Sequence, residues 1–262
     1  EKRPYTFLVG AGISMDPPSN VPSARMFVRE LFNYYAPENE IDSLSKIDSL
    51  RYEFLVEKIQ NLFEEELGFL SYLDWVTDPN ANHLFLVHMI LRYNYVITTN
   101  FDYLIEIALK SQIGAHTVYD PIYKKIMTII TKDDYEKDIR FKYPIVKIHG
   151  SKRDYITGRY TADSLITTIS ALGRDRQRGK TFAIEPFKRK LIDNITKGRD
   201  LVVMGYSGSD DFDISPLLKE LTTVKRLIWI DHNSDSDMEE YYQYKALDSS
   251  KLNFLSNLSK LD

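Results

Sequence analysis

The sequence predicts an α/β fold: a Rossmann-like, mostly parallel sheet with helices on both faces and a helical insertion. First, short apolar runs rich in β-branched and aromatic residues alternate with stretches whose apolar positions recur every three or four residues. Second, four of the runs end in small or polar loop-forming groups, Gly10-Ala-Gly-Ile-Ser14, Thr99-Asn-Phe-Asp102, His149-Gly-Ser151 and Gly205-Tyr-Ser-Gly-Ser-Asp210. In α/β sheets ligands bind beyond the carboxyl ends of the strands, so this shared placement says more than any one motif. Third, the chain carries no internal repeat and no low-complexity segment.

The composition narrows the class. At 262 residues, 43% hydrophobic and 27% charged, the chain has the length and the apolar content for a substantial core. One domain spanning 1–262 is expected, with a helical insertion at about 36–92, as a module of a longer protein. The net charge of −4 argues against broad nucleic-acid binding by phosphate neutralisation. With no cysteine, disulfides, thiolate zinc sites and a cysteine nucleophile are excluded. That absence fits a reducing compartment, and a cytoplasmic location is expected. No apolar run reaches the roughly 18 residues that a membrane span needs, and no membrane association is expected.

Taken in order, the first strand is the apolar run Phe7 to Val9, which breaks into Gly10-Ala11-Gly12. Glycines let backbone N–H groups approach a diphosphate, and a helix follows from Ala24. The dinucleotide fingerprint would need a third glycine where Met15 stands, so a tight turn without a ligand is the alternative. Asp16-Pro-Pro-Ser-Asn-Val-Pro-Ser23 cannot be regular structure. Amphipathic helices are expected between Ile41 and Trp75, and a further helix over Ala81–Arg92. That helix places His83 and His88 on different faces, which suits packing or surface roles rather than a shared metal.

Tyr93–Thr99 reads as a buried strand, followed by a helix carrying Leu104, Ile105 and Ala108. Ala115–Val118 and Ile126–Thr131 are short candidate strands, and Tyr143–Ile148 is a longer one. Thr181–Lys197 reads as helix, and Asp200–Met204 repeats the opening design by breaking at Gly205. A helix from about Asp213, the strand Arg226–Asp231 and a polar helical tail complete the chain. Arg174, Arg176, Arg178 and Lys180 read as a solvated loop. Asp210, Asp211 and Asp213 read as complements to the next helix's positive end, with no metal assigned.

Gly10-Ala-Gly-Ile-Ser14, Thr98-Thr-Asn-Phe-Asp102, Lys147-Ile-His-Gly150 and Gly205-Tyr-Ser207 occur in the order and approximate spacing of the sirtuin superfamily. They resemble its glycine loop and its Thr-Gln-Asn-Ile-Asp, His-Gly and Gly-Thr-Ser motifs. The resemblance implies NAD binding and cleavage of the nicotinamide–ribose bond. The departures point to a subtype. The chain has no cysteine for the zinc module that deacylases carry, Thr99 replaces their glutamine, and Asn20-Val-Pro-Ser-Ala-Arg25 lacks their Asp-Phe pair. In these respects it is similar to the zinc-free sirtuin-like domains of bacterial antiphage proteins. That implies hydrolysis of NAD to nicotinamide and ADP-ribose, with a sensor module, partner subunit or homo-oligomer for regulation.

The residue types suit such chemistry. Asn100 can hold the nicotinamide ribose or orient a water. His149 can act as general base or bind a ribose hydroxyl. Asp102 can meet the carboxamide or offset developing positive charge. Gly10, Ala11, Gly12 and Ser14 would cradle the diphosphate, with Thr99 beside them. Gly205 and Ser207 would meet the adenosine ribose or phosphate, and Asp231 or Asn233 its hydroxyls. Plainer readings stand beside these: Asn100 and Asp102 as helix caps, Ser207 and Ser209 as turn residues. Two other functions remain open, a zinc-independent NAD-dependent deacylase and a non-catalytic NAD or ADP-ribose sensor or oligomerisation module.

Overall fold

A computed structural model describes residues 4–44, 47, 55–58, 61, 68–114, 121–166, 184–206, 208, 213–230, 242–244 and 258–260. Its centre is a six-stranded parallel sheet of β1 (Tyr5–Val9), β2 (Tyr95–Thr98), β3 (Ile126–Ile129), β4 (Tyr143–Lys147), β5 (Asp200–Met204) and β6 (Arg226–Ile230). The spatial order is β3-β4-β2-β1-β5-β6. The α/β expectation is met, and the strands begin and end within two residues of their expected limits. Ala115–Val118 lies outside the described residues.

Period-two alternation gives the sheet two buried faces. Leu8, Ile97, Val146 and Val203 point to one side, where they pack with Leu191, Ile192 and Ile195 of one helix and Ile214, Leu217 and Leu218 of another. Phe7, Val9, Val96, Ile145 and Val202 point to the other, against Leu86, Val87 and Ile90 and against Ile105, Ala108 and Leu109. The helices involved are α3 (Ala81–Leu91), α4 (Leu104–Gln112), α6 (Pro186–Thr196) and α7 (Ile214–Glu220); α1 (Ala24–Tyr35), α2 (Glu38–Leu44) and the short α5 (Lys132–Tyr135) complete the series. Within 36–92, α3 is therefore the crossover helix that joins β1 to β2 on the sheet. A 3-10 helix, Gly68–Trp75, contributes Leu70 and Leu73 to a smaller cluster with Val21, Val56 and Leu104.

Two local departures have clear causes. The strand expected to run to Thr131 stops at Ile129, because Thr131 becomes the N-cap of α5. Its N–H and hydroxyl both donate to Asp134 Oδ2, at 2.9 Å each, which competes with ladder pairing. The expected helical tail instead includes an antiparallel pair, β7 (Tyr242–Tyr244) and β8 (Leu258–Lys260). Cross-strand pairing supplies partners there that local helix propensity does not register. Among the described residues no helix is long and apolar enough to cross a membrane.

Candidate functional site

Strand register brings the four motif ends into one rank. Val9 pairs with Thr98 and Met204, and Thr98 pairs with Lys147. The ladder then runs one step further: Thr99 N–H donates to Val9 O at 3.0 Å, Ile148 N–H to Thr98 O at 3.0 Å and Gly10 N–H to Met204 O at 3.2 Å. Gly10, Asn100, His149 and Gly205 thus leave the sheet side by side. The chain runs from β1 out to β2 on one side and from β5 out to β6 on the other. The β1–β5 junction is therefore a topological switch point.

Glycine is required at that junction by close packing. A β-carbon on Gly10 would lie 2.8 Å from Gly205 O, and one on Gly12 the same distance from Gly205 Cα. Gly205 has φ +61°, and its β-carbon would meet Ile13 N at 2.5 Å. The Gly12 N–H donates to Gly205 O at 2.7 Å. Ala11 and Gly12 are half-buried at the strand end, whereas Ser14 is fully buried. Ser207, Asp231 and Asn233 lie outside the described residues, as do Arg174, Arg176, Arg178 and Lys180.

Ser14 is the hub of a buried polar cluster. Its hydroxyl donates to Asp102 Oδ2 at 2.9 Å and lies 3.1 Å from His83 Nε2. Asn100 Nδ2 donates to Ser14 Oγ at 3.2 Å and to Asp102 Oδ2 at 3.3 Å. Asp102 Oδ1 accepts from Leu104 N–H at 3.1 Å, so this carboxylate caps α4 with one oxygen and holds the cluster with the other. The capping reading of Asp102 is met in part: its carboxylate takes the first N–H of the helix, although the N-cap position itself is Tyr103. The Asn100 N–H instead donates to Thr98 Oγ1 at 3.0 Å. Asn100 Oδ1 is buried and has no hydrogen-bond partner among the described residues.

His83 reaches this cluster from α3, whose N-cap is Asn80. The Asn80 amide also donates to Ile13 O at 2.8 Å and Asp16 O at 3.1 Å, tying the first loop to the crossover helix. His88, on the same helix, is exposed. Burial pushes the His83 imidazole below its usual pKa, against the opposing pull of the Asp102 charge. Burial and the same charge push the Tyr72 phenol up to about 12. Tyr72 stacks on Phe27 at 5.5 Å, and with Phe101 it packs on the small helical cluster, which walls the Asn100–Asp102 loop.

Two buried lysines hold the loops from below. Lys147 donates to Asp102 O and lies 3.2 Å from Glu106 Oε1, each side chain 1% exposed. Lys188 donates to Ile148 O at 2.6 Å and pairs with Glu185 at 2.8 Å, beneath the His149 loop. His149 Nε2 lies 3.2 Å from Asp213 Oδ1, and the Phe101 and His149 rings are 6.4 Å apart. Gly150 has φ +78°, and a β-carbon there would collide with Ser164 O. Sequence reasoning assigned no site role to His83, Lys147, Lys188 or Asp213. The available signals were Asn80-x-x-His83, with its capping-box spacing, and a lysine inside an apolar strand.

Among the described residues no group of three or more His, Cys, Asp or Glu could hold a metal ion. No curated protein matches the chain. A family model for the SIR2-like domain matches residues 94–250, from β2 through β7, and leaves β1 and the glycine loop outside the matched span. The match takes in more than half of the chain and implies NAD binding and NAD-related activity: this protein belongs to the SIR2-like domain family.

Proposed function

We propose that this domain is an NAD glycohydrolase, cleaving the nicotinamide–ribose bond to give nicotinamide and ADP-ribose. The observation that carries the reading is Asn100 Oδ1, a buried acceptor without a donor among the described residues, at the carboxyl edge of the sheet and one strand from His149. Leaving such a group unsatisfied costs about 1–3 kcal/mol. A ribose hydroxyl or a reacting water supplies the missing donor.

In this reading the C1′–N bond breaks with its electron pair going to nicotinamide, which leaves as a neutral base. A water oxygen bonds to C1′, and the water's proton passes to His149 and on to solvent. Asn100 orients that water, and the Asp102 charge offsets the oxocarbenium character of the ribose. Gly10, Ala11 and Gly12 form the diphosphate loop with Thr99 beside it, and Ser14, its hydroxyl committed to Asp102, supports that loop from the buried side. Gly205 and Ser207 take the adenosine side, and Asp231 or Asn233 its ribose hydroxyls. No metal takes part. The resemblance to zinc-free antiphage domains, with a cysteine count of zero, supports a cytoplasmic role in depleting NAD during antiphage defence. Control by a homo-oligomer, sensor domain or partner subunit belongs to the same reading.

The test is nicotinamide release from NAD by the protein in its active assembly, followed by chromatography. Asn100→Ala and His149→Ala are each expected to abolish turnover, and unchanged turnover in both would sink the mechanism. Turnover that requires an acylated peptide and yields O-acyl-ADP-ribose would identify a deacylase. Tight binding with intact NAD recovered would identify a sensor.

A further inference from the structure

We infer that His83 is a positioning residue: it sets the direction of the hydrogen bonds around Ser14 and so, together with the Asp102 carboxylate, fixes which edge of the Asn100 amide faces the site.

The argument follows the protons. Asn80 N–H donates to His83 Nδ1 at 3.1 Å. A backbone N–H can only donate, so Nδ1 carries the lone pair and the neutral ring bears its hydrogen on Nε2. Nε2–H therefore donates to Ser14 Oγ, 3.1 Å away. Ser14 has one hydroxyl hydrogen, and it goes to Asp102 Oδ2 at 2.9 Å. The serine oxygen also accepts from Asn100 Nδ2 at 3.2 Å, which fills both of its acceptor positions. Every member of the set is nine-tenths or more buried: His83 and Ser14 at 0%, Asp102 at 5% and Asn100 at 8% exposure.

The consequence falls on Asn100. If its amide were turned over, Oδ1 would face the Asp102 carboxylate and a serine whose hydrogen is already committed, leaving two acceptors opposed and no donor between them. The amide nitrogen must face inward, and Oδ1 is presented outward as an acceptor. Without the Nε2 donor, the Ser14 hydroxyl is free to turn toward Asn100, and the amide keeps only the Asp102 carboxylate, at 3.3 Å, to hold its direction. His83 thus acts on the site through Ser14, without touching a reacting atom.

The catalytic part of this inference rests on the NAD-cleavage reading; the positional part does not. His83→Gln and His83→Leu separate them, because both delete the ring nitrogen that accepts Asn80 N–H, but only glutamine can place an N–H donor near the position of Nε2. The two variants are expected to lose similar stability by urea denaturation. His83→Leu is expected to lower kcat about 10- to 100-fold with KM changed much less, by analogy with other residues that orient a catalytic group. His83→Gln is expected to recover most of that loss. Independently of turnover, the Asn100 side-chain amide protons, followed by ¹⁵N NMR, should be protected from exchange in wild type and His83→Gln and exchange faster in His83→Leu. Should His83→Leu fail to fold, Ser14→Ala cuts the same relay from the other side and should release the amide protons likewise.

Equal kcat in the glutamine and leucine variants, or unprotected Asn100 amide protons in the wild type, overturns the inference. Protection that follows this pattern in a protein that leaves NAD intact sinks the glycohydrolase reading and sustains the positional one.

Discussion

Gly12 donates its N–H to the Gly205 carbonyl at 2.7 Å, and each glycine occupies space in which the other loop leaves no room for a β-carbon. The first loop is thereby locked to the end of β5, two strands from Asn100. Gly205→Ala adds a collision with Ile13 N to left-handed backbone strain. Gly158, with φ +74° and nothing within 4 Å of its β-carbon position, isolates the strain alone. Gly158→Ala should cost about 1–2 kcal/mol, and Gly205→Ala should cost more. Gly12→Ala should also be destabilising, although its φ is not positive. Thermal denaturation of the three variants checks the order; equal losses at Gly158 and Gly205 would remove the packing argument.

Lys147 holds the Asn100–Asp102 loop through the Asp102 carbonyl, with Glu106 as its buried counter-ion. Burial pushes the Glu106 carboxyl up, and the nearby Lys147 ammonium pulls it back. Lys147→Met leaves a buried carboxylate alone and should cost about 3–5 kcal/mol. Adding Glu106→Gln should recover a substantial part. Chemical denaturation of the single and double variants tests the coupling, and simple additivity would contradict it.

Acid should weaken the protein through His83. Its folded pKa lies below the usual 6.5, chiefly because it is buried. The unfolded chain therefore takes up a proton more readily than the folded one. The associated stability is complete above the unfolded value and is lost as pH falls through the folded value. The added proton would go to Nδ1, which already accepts Asn80 N–H. Urea midpoints should fall as pH drops below about 7, and the fall should be shallower in His83→Gln. Identical slopes in the two proteins would show that His83 is not the titrating group.

Asp213 stands at the N-cap of α7, buried, with Oδ1 3.2 Å from His149 Nε2. Asp213→Asn keeps the shape and removes the charge that orients the ring. Nicotinamide release should fall about 10-fold or more with KM changed little, a smaller loss than in His149→Ala. Full activity in Asp213→Asn would show that the aspartate charge plays no part in turnover.

Much of this could be read along the chain. Periodicity located the strands of the parallel sheet, because continuous β-branched runs such as Tyr-Val-Ile-Thr at 95–98 suit a strand covered on both faces. The four motif ends were visible as breaks into small and polar residues, so Gly10, Asn100, His149 and Gly205 could be named together before their register was known. The partners were not visible. His83 and Ser14 are 69 residues apart, and Ser14 and Asp102 are 88 apart. No local pattern records such pairings.

The sequence by itself determined the class of fold, the rank of loops at the sheet's carboxyl edge and the residue types gathered there. These depend on local periodicity and on which residues can end a strand. Tertiary structure decided what those residues do to one another. It turned the Gly-Ala-Gly loop into a junction packed on Gly205, converted a packing histidine into the donor behind Ser14, and left Asn100 Oδ1 a buried acceptor without a partner among the described residues. The physical reason is that hydrogen-bond direction and burial belong to pairs of groups brought together by folding, not to positions along the chain.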